Sequence, residues 1–79
     1  MVSIKEKIIK IIGDIVYGED YDISPSSNLF NDLLCDSLDV LDIVLRIEKE
    51  FGIRISDEVM DSFHTVDDII NYVSSKEGN

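Results

Sequence analysis

The sequence predicts an all-α fold, a small bundle of three main helices plus one short helix. Three observations predict it: apolar residues recur at spacings of three and four in separate stretches, capping residues stand ahead of those stretches, and no β-alternation is sustained anywhere. The 79 residues are 44% hydrophobic, enough for a packed core, and show no internal repeat, so one domain over 1–79 is expected. A chain this small buries only roughly 60% of its unfolded surface and leaves little volume for an enclosed substrate pocket, which argues against free-standing catalysis.

Ile4, Ile8, Ile11, Ile12, Ile15 and Val16 form the first stripe, and Ser3 with Glu6 reads as a capping box, so a first helix is expected over about residues 3–17. From Gly18 to about Cys35 the composition shifts to Gly, Asp, Ser, Asn and the single proline, Pro25. A connection longer than about a dozen residues needs a function or pinning by its own side chains. Ile23, Leu29, Phe30, Leu33 and Leu34 are the candidate pins, so this loop is expected to be ordered. Asp36 offers an N-cap to a periodic stretch ending at Phe51, and Gly52 stands where a left-handed C-terminal residue is wanted. That stretch is the second helix. Ser56 caps a short turn of helix over Asp57 to Ser62, and Thr65 with Asp68 opens the last helix through Tyr72 and Val73. Residues 76–79 are expected to form a frayed tail.

Seven basic residues against 17 acidic ones leave a net charge of −10. Such a chain repels phosphate backbones and anionic lipid, so no nucleic acid and no membrane is expected as a partner, whereas a basic protein surface is. The start, Met-Val-Ser-Ile-Lys-Glu-Lys, lacks the apolar run of a signal peptide, and the cytosol is the expected compartment. Cys35 is the single cysteine, which rules out an internal disulfide and suits a reducing compartment. One Cys and one His cannot close a zinc site, and no Asp-x-Asp-x-Asp-Gly calcium loop occurs. Loose divalent binding by Asp57, Glu58 and Asp61 is the most that the acids suggest.

Two features of the second helix point to function. At about 100° per residue, Val40, Ile43, Val44, Ile47 and Phe51 fall within one arc of roughly 100°, the stripe that a bundle helix buries. Leu38, Leu41 and Leu45 form a second stripe roughly 120° away, flanked by Asp39, Asp42 and Glu48. A leucine row rimmed by carboxylates is built like a protein-docking face, unless loop or short-helix residues cover it. Ser37, just after the capping Asp36, places a hydroxyl beside unpaired N–H groups and the positive end of the helix dipole, where a phosphate ester is favourably held. Simple capping chemistry is by itself the commoner reason for such a serine.

The stretch Asp36-Ser37-Leu38-Asp39 opening an amphipathic helix that ends Ile47-Glu48-Lys49-Glu50-Phe51-Gly52-Ile53-Arg54-Ile55 closely resembles the acyl carrier proteins. The resemblance extends to Asn28-Leu29-Phe30-Asn31-Asp32-Leu33 before the motif and Thr65-Val66-Asp67-Asp68-Ile69-Ile70 after it, and so covers nearly the whole chain. It implies that Ser37 is esterified by 4′-phosphopantetheine from coenzyme A, by a phosphopantetheinyl transferase, and that the thiol of this arm holds acyl groups as thioesters. It implies no catalytic residue. It also implies that Asp36, Leu38, Asp39, Leu41, Asp42, Leu45 and Glu48, with Ile55, Asp57 and Asp61, meet basic patches on acyl-transferring and chain-elongating enzymes. Acyl chains would be sheltered among residues such as Ile43, Ile47 and Ile55, and the carrier is expected to be a monomer.

The chain departs from the family pattern at two places. The positions before Asp36, commonly Gly and a small residue, are Leu34 and Cys35, which gives the approach to the serine more bulk. Arg46 and Lys49 put positive charge where housekeeping fatty-acid carriers often have Ala and Glu. Leu38-Asp39 and the strong acidity favour fatty acid biosynthesis over a specialised polyketide, lipid or D-alanyl-type pathway. Outside the carrier class, the rival is an acidic docking module that is never modified. Cys35 reads either as a small buried apolar group or as a reactive thiol near a helix N-terminus, and His64 as a solvated loop residue.

Overall fold

Each helix begins where a short polar side chain accepts a backbone N–H that the helix itself cannot satisfy. A computed structural model of the chain describes residues 3–16 and 23–77. Four helices follow one another: α1 (Ile4–Val16), α2 (Ser37–Phe51), α3 (Asp57–Asp61) and α4 (Val66–Glu77), with no strand among the described residues. Ser3 Oγ accepts the Glu6 N–H at 3.1 Å and the Glu6 carboxylate accepts the Ser3 N–H at 3.4 Å, so the first capping box forms. Ser56 Oγ accepts the Val59 N–H at 3.2 Å ahead of α3. Before α4, Thr65 Oγ1 accepts the Asp68 N–H at 3.1 Å, and the Asp68 carboxylate takes the N–H groups of Thr65 and His64 at 3.0 and 2.9 Å. Gly52 ends α2 with a φ of 66°, donating its N–H to the Glu48 carbonyl at 2.9 Å.

The boundaries differ from the sequence expectation in small ways. The short helix closes at Asp61 and Ser62 is its C-cap. α4 continues to Glu77, so Lys76 and Glu77, expected in a frayed tail, belong to the helix instead. Lys76 also sits over the Tyr72 ring, 5.4 Å from its centroid, which tethers this last turn. Tyr17 to Asp22, expected at the end of the first helix and the start of the loop, lie outside the described residues, as do Gly78 and Asn79.

The core takes Ile8 and Ile12 from α1, Val40, Ile43, Val44 and Ile47 from α2, and Val66, Ile69, Ile70 and Val73 from α4, with Phe63 between α3 and α4. α1 packs on both α2 and α4, and α3 packs on α2. Phe51 is half-buried, with the Lys7 ammonium 5.7 Å from its ring centroid. No charged or polar side chain is buried among the described residues. The stability of the bundle therefore comes from apolar burial, at roughly 25 cal/mol per Å².

The segment before α2 is pinned, and by more than its apolar residues. Ile23, Leu29 and Leu33 are buried, as expected. Phe30 and Leu34, expected beside them, are exposed. Backbone bonds supply the rest of the pinning: the Leu29 N–H donates to the His64 carbonyl at 2.8 Å, and the Val66 and Asp67 N–H groups donate to the Ser27 and Pro25 carbonyls at 3.1 and 2.8 Å. Asn28 pairs with Thr65 as an isolated antiparallel bridge. Its side-chain oxygen also accepts the N–H groups of Phe30 and Asn31, each at 2.9 Å, which turns the chain toward α2. Burying these otherwise unpaired donors and acceptors without partners would cost about 1–3 kcal/mol each, which is why the loop holds one shape.

Candidate functional site

Ser37 is the first residue of α2, and its position is set from both sides. Behind it, the Cys35 side chain is buried and its N–H donates to the Leu29 carbonyl at 2.8 Å. Ahead of it, Val40 is buried in the core. Between these anchors the expected cap forms as a reciprocal pair: Asp36 Oδ1 accepts the Asp39 N–H at 2.9 Å, and Asp39 Oδ2 accepts the Asp36 N–H at 3.2 Å. Ser37 itself is exposed, and no hydrogen bond within the protein occupies its hydroxyl. The N–H groups of Ser37 and Leu38, at the head of α2, have no carbonyl partner within the helix.

A hollow of ≈ 140 Å³ opens beside the serine, lined by Phe30, Val40, Met60, Asp61 and His64 with Ser37. The loop before α2, α2 itself, α3 and the cap of α4 thus converge on one point. Sequence spacing does not reveal this convergence, because His64 is 27 positions from Ser37 (64 − 37) and Phe30 stands in what reads as a row of buried pins. His64 is exposed, as expected, and no hydrogen bond joins it to Ser37 or Asp61.

The leucine stripe is uncovered. Leu38 is 73% exposed, Leu41 40% and Leu45 54%, so the alternative in which loop or short-helix residues hide them does not hold. Phe30 at 42% and Leu34 at 79% join them, and every exposed large apolar side chain among the described residues falls between positions 30 and 45, on either side of Ser37. No periodic signal separates these two from the pins, because residues 29–34 form an irregular turn in which Leu34 is left-handed.

The carboxylates around this face differ in what holds them. Asp36 and Asp39 are engaged in the cap. Asp42 pairs with Arg46 at 3.3 Å, an exposed contact worth roughly 0–1 kcal/mol that leaves it free to exchange partners. Glu48 has a structural part that its position alone does not disclose, since its carboxylate accepts the Ile55 N–H at 2.8 Å and holds the chain leaving α2. Ile55 is half-buried against the core, and Asp57 and Asp61 are exposed on α3. Among the described residues no group of three or more His, Cys, Asp or Glu side chains could hold a metal ion, so the loose divalent site expected of Asp57, Glu58 and Asp61 is not formed.

Cys35 resolves in favour of the buried apolar reading. Burial first, and then the neighbouring Asp39 and Asp36 carboxylates, push its thiol from 9.0 up to about 11. The α2 N-terminus would pull the other way, but desolvation and two negative charges outweigh it.

The arrangement is thus a free hydroxyl at a helix N-terminus, set in an apolar face with an acidic rim. A family model for the phosphopantetheine attachment site matches residues 6–73. The chain belongs to the acyl carrier protein family. The solution structure of a chain from Anaplasma phagocytophilum, described as a “putative acyl carrier protein”, is similar to this one at 33% identity and a TM-score of 0.84, over 95% of this chain and 89% of that one. Members of the family are carriers and not enzymes, so Ser37, Asp61 and His64 at one hollow are not a catalytic set. They bear 4′-phosphopantetheine covalently and work with phosphopantetheinyl transferase and acyl-handling enzymes. The head of α2 in this carrier suits that group, because it combines an unengaged hydroxyl with two N–H groups that no carbonyl of the helix satisfies. No helix among the described residues is long and apolar enough to cross a membrane.

Proposed function

We propose that Ser37 is the attachment residue, and that this carrier is a single-domain, cytosolic monomer serving fatty acid biosynthesis. The observation that carries the reading is the exposed, unbonded Ser37 hydroxyl at the first position of α2, inside an apolar face with acidic edges. Esterification forms one bond from Ser37 Oγ to the phosphorus of the pantetheine phosphate, releases the remainder of coenzyme A, and gives up the hydroxyl proton. The arm so gained supplies a terminal thiol that holds acyl groups as thioesters.

Leu38, Leu41 and Leu45 supply apolar contact with partner enzymes, while Asp36, Asp39, Asp42, Glu48, Asp57 and Asp61 steer their basic patches, with Ile55 at the edge. Since Ile43 and Ile47 are fully buried and Ile55 is half-buried, an acyl chain gains shelter there only by parting the helices, starting from the hollow at Ser37. Leu38-Asp39 and the net charge of −10 support fatty acyl work over the specialised pathways.

The test is the intact mass after incubation with coenzyme A and a phosphopantetheinyl transferase, beside Ser37→Ala. A gain of one phosphopantetheine on the wild type alone is the expected result. Gain on Ser37→Ala would move the attachment elsewhere, and no gain on either with several transferases would sink the assignment. Loading of the modified carrier by acyltransferases of fatty acid synthesis, in preference to adenylating enzymes of other pathways, tests the pathway.

A further inference from the structure

Leu34 is in the left-handed region, with a φ of 58°, and is the sole non-glycine residue of positive φ among those described. A γ-branched side chain is disfavoured there because its Cβ crowds the following carbonyl, and glycine would take the conformation without strain. Such strain is tolerable where packing repays it. Leu34 receives no such return, being 79% exposed, the most exposed of the large apolar residues. The turn does not need the Leu34 side chain either, since its bonds run between backbone groups, as from Cys35 N–H to the Leu29 carbonyl and Leu33 N–H to the Asn28 carbonyl, or through the Asn28 and Asp32 side chains. Within the isolated chain this leucine is therefore a liability at both the backbone and the surface.

Its surroundings supply a use. Leu34 lies three residues before Ser37, and three residues span at most roughly 11 Å. Phe30, also exposed, lines the hollow at Ser37. Exposed Asp32 and Asp36 flank Leu34 in the chain, so the complementary surface is an apolar depression with a basic border. An enzyme that acts at the end of a long arm can work without covering this corner. One that builds a bond to Ser37 Oγ must bring its own surface onto the head of α2, and with it onto Leu34.

We infer that Leu34, with Phe30, extends the docking face to the near side of Ser37 and is a recognition residue for the phosphopantetheinyl transferase, seated in an apolar depression bordered by basic residues. The inference rests on Ser37 being the attachment residue. Leu34 acts through binding and touches none of the reacting atoms.

The experiment follows transferase kinetics on the apo carrier, with thermal unfolding of each variant alongside. Leu34→Gly and Leu34→Asn both suit the left-handed conformation and remove the aliphatic side chain, while Leu34→Met keeps an apolar one. Expected for Leu34→Gly and Leu34→Asn is a Tm at or above that of the wild type together with a kcat/KM lowered roughly tenfold, carried by KM, as befits one leucine no longer buried on docking. Leu34→Met should stay within about twofold of wild type, since swaps of similar volume cost little. Unchanged kcat/KM in Leu34→Gly and Leu34→Asn overturns the inference and leaves the Ser37 assignment standing. A loss confined to kcat overturns it also, since that would make Leu34 a backbone-positioning residue. Failure of the wild type to gain mass removes the Ser37 assignment, and this inference with it.

Discussion

Reactivity of Cys35 gives a quantitative test of how the site is built. The perturbation is a thiol reagent such as Ellman's, applied at pH 8 to the folded apo carrier. A thiol of pKa 9.0 is about one-tenth ionised at that pH and one of about 11 only about one-thousandth, so the folded chain holds roughly a hundredfold less thiolate. A more basic thiolate is the better nucleophile, and a Brønsted slope of about 0.4–0.5 returns a factor of roughly six to ten over two pKa units. Ionisation alone thus leaves the rate roughly tenfold below that of an unhindered thiol, and the burial of Cys35 slows it further. Stopped-flow absorbance should show this slow phase in buffer and a rate near that of a free thiol in guanidinium, with Cys35→Ser silent in both. A folded-state rate equal to the free thiol's would refute the reasoning. The alkaline limb carries the same information: with the folded pKa raised, stability from the neutral thiol is fully present below about 9 and is lost as pH rises through about 11, a loss that Cys35→Ala should abolish. After modification of Ser37, the arm's thiol should be the fast-reacting one.

Three further outcomes are expected. Gly52→Ala meets nothing within 4 Å of its new Cβ, so its cost is conformational, about 1 kcal/mol once the stiffer unfolded chain is counted, read by urea unfolding with an unchanged m-value. Asp68, whose carboxyl is held below the usual range by the N–H groups of His64 and Thr65, adds stability that is present above its unfolded pKa and is lost as pH falls through its lower folded value. Asp68→Asn should therefore flatten the fall of Tm with pH on the acid side. Leu45→Asp, at a 54% exposed position, should leave Tm within about 2 °C of wild type while slowing transferase and acyl-loading reactions several-fold. A carrier variant that unfolds instead would show Leu45 to be packed.

Much of this was legible in the residues because the signals are local. Caps are read from four consecutive positions, and the boxes at Ser3 and Thr65 and the cap at Asp36 form there, the last with an added bond from Asp36 N–H to the Asp39 carboxylate. The uncovered leucine stripe is likewise a matter of angle around one helix, and Leu38, Leu41 and Leu45 stand outside the core arc as periodicity requires. What periodicity does not give is anything about a turn without a fixed period, which is why Phe30 and Leu34 read as pins and are exposed. Long-range pairings were hidden as well. The bond from Ile55 N–H to the Glu48 carboxylate and the meeting of Phe30, Met60 and His64 at Ser37 depend on how the elements pack. The helical state of Lys76 and Glu77 depends on α4 packing, which extends a terminus that composition alone leaves unsupported.

α3 differs from the other helices in one respect that bears on cargo. It buries no residue fully, though Val59 and Met60 rest half-buried against the core, holds five positions between two serine caps, and packs on α2. The loop before α2 and the cap of α4, by contrast, are stitched together by backbone bonds, from Leu29 N–H to the His64 carbonyl and from the Val66 and Asp67 N–H groups to the Ser27 and Pro25 carbonyls. The hollow at Ser37 therefore has one wall tied by backbone bonds and one, carrying Met60 and Asp61, held by half-buried side chains and its caps alone. Local opening begins where little apolar surface is held. If acyl cargo enters at Ser37 as proposed, a guest larger than the ≈ 140 Å³ of the hollow should displace the α3 side first, while the capped serine keeps its place.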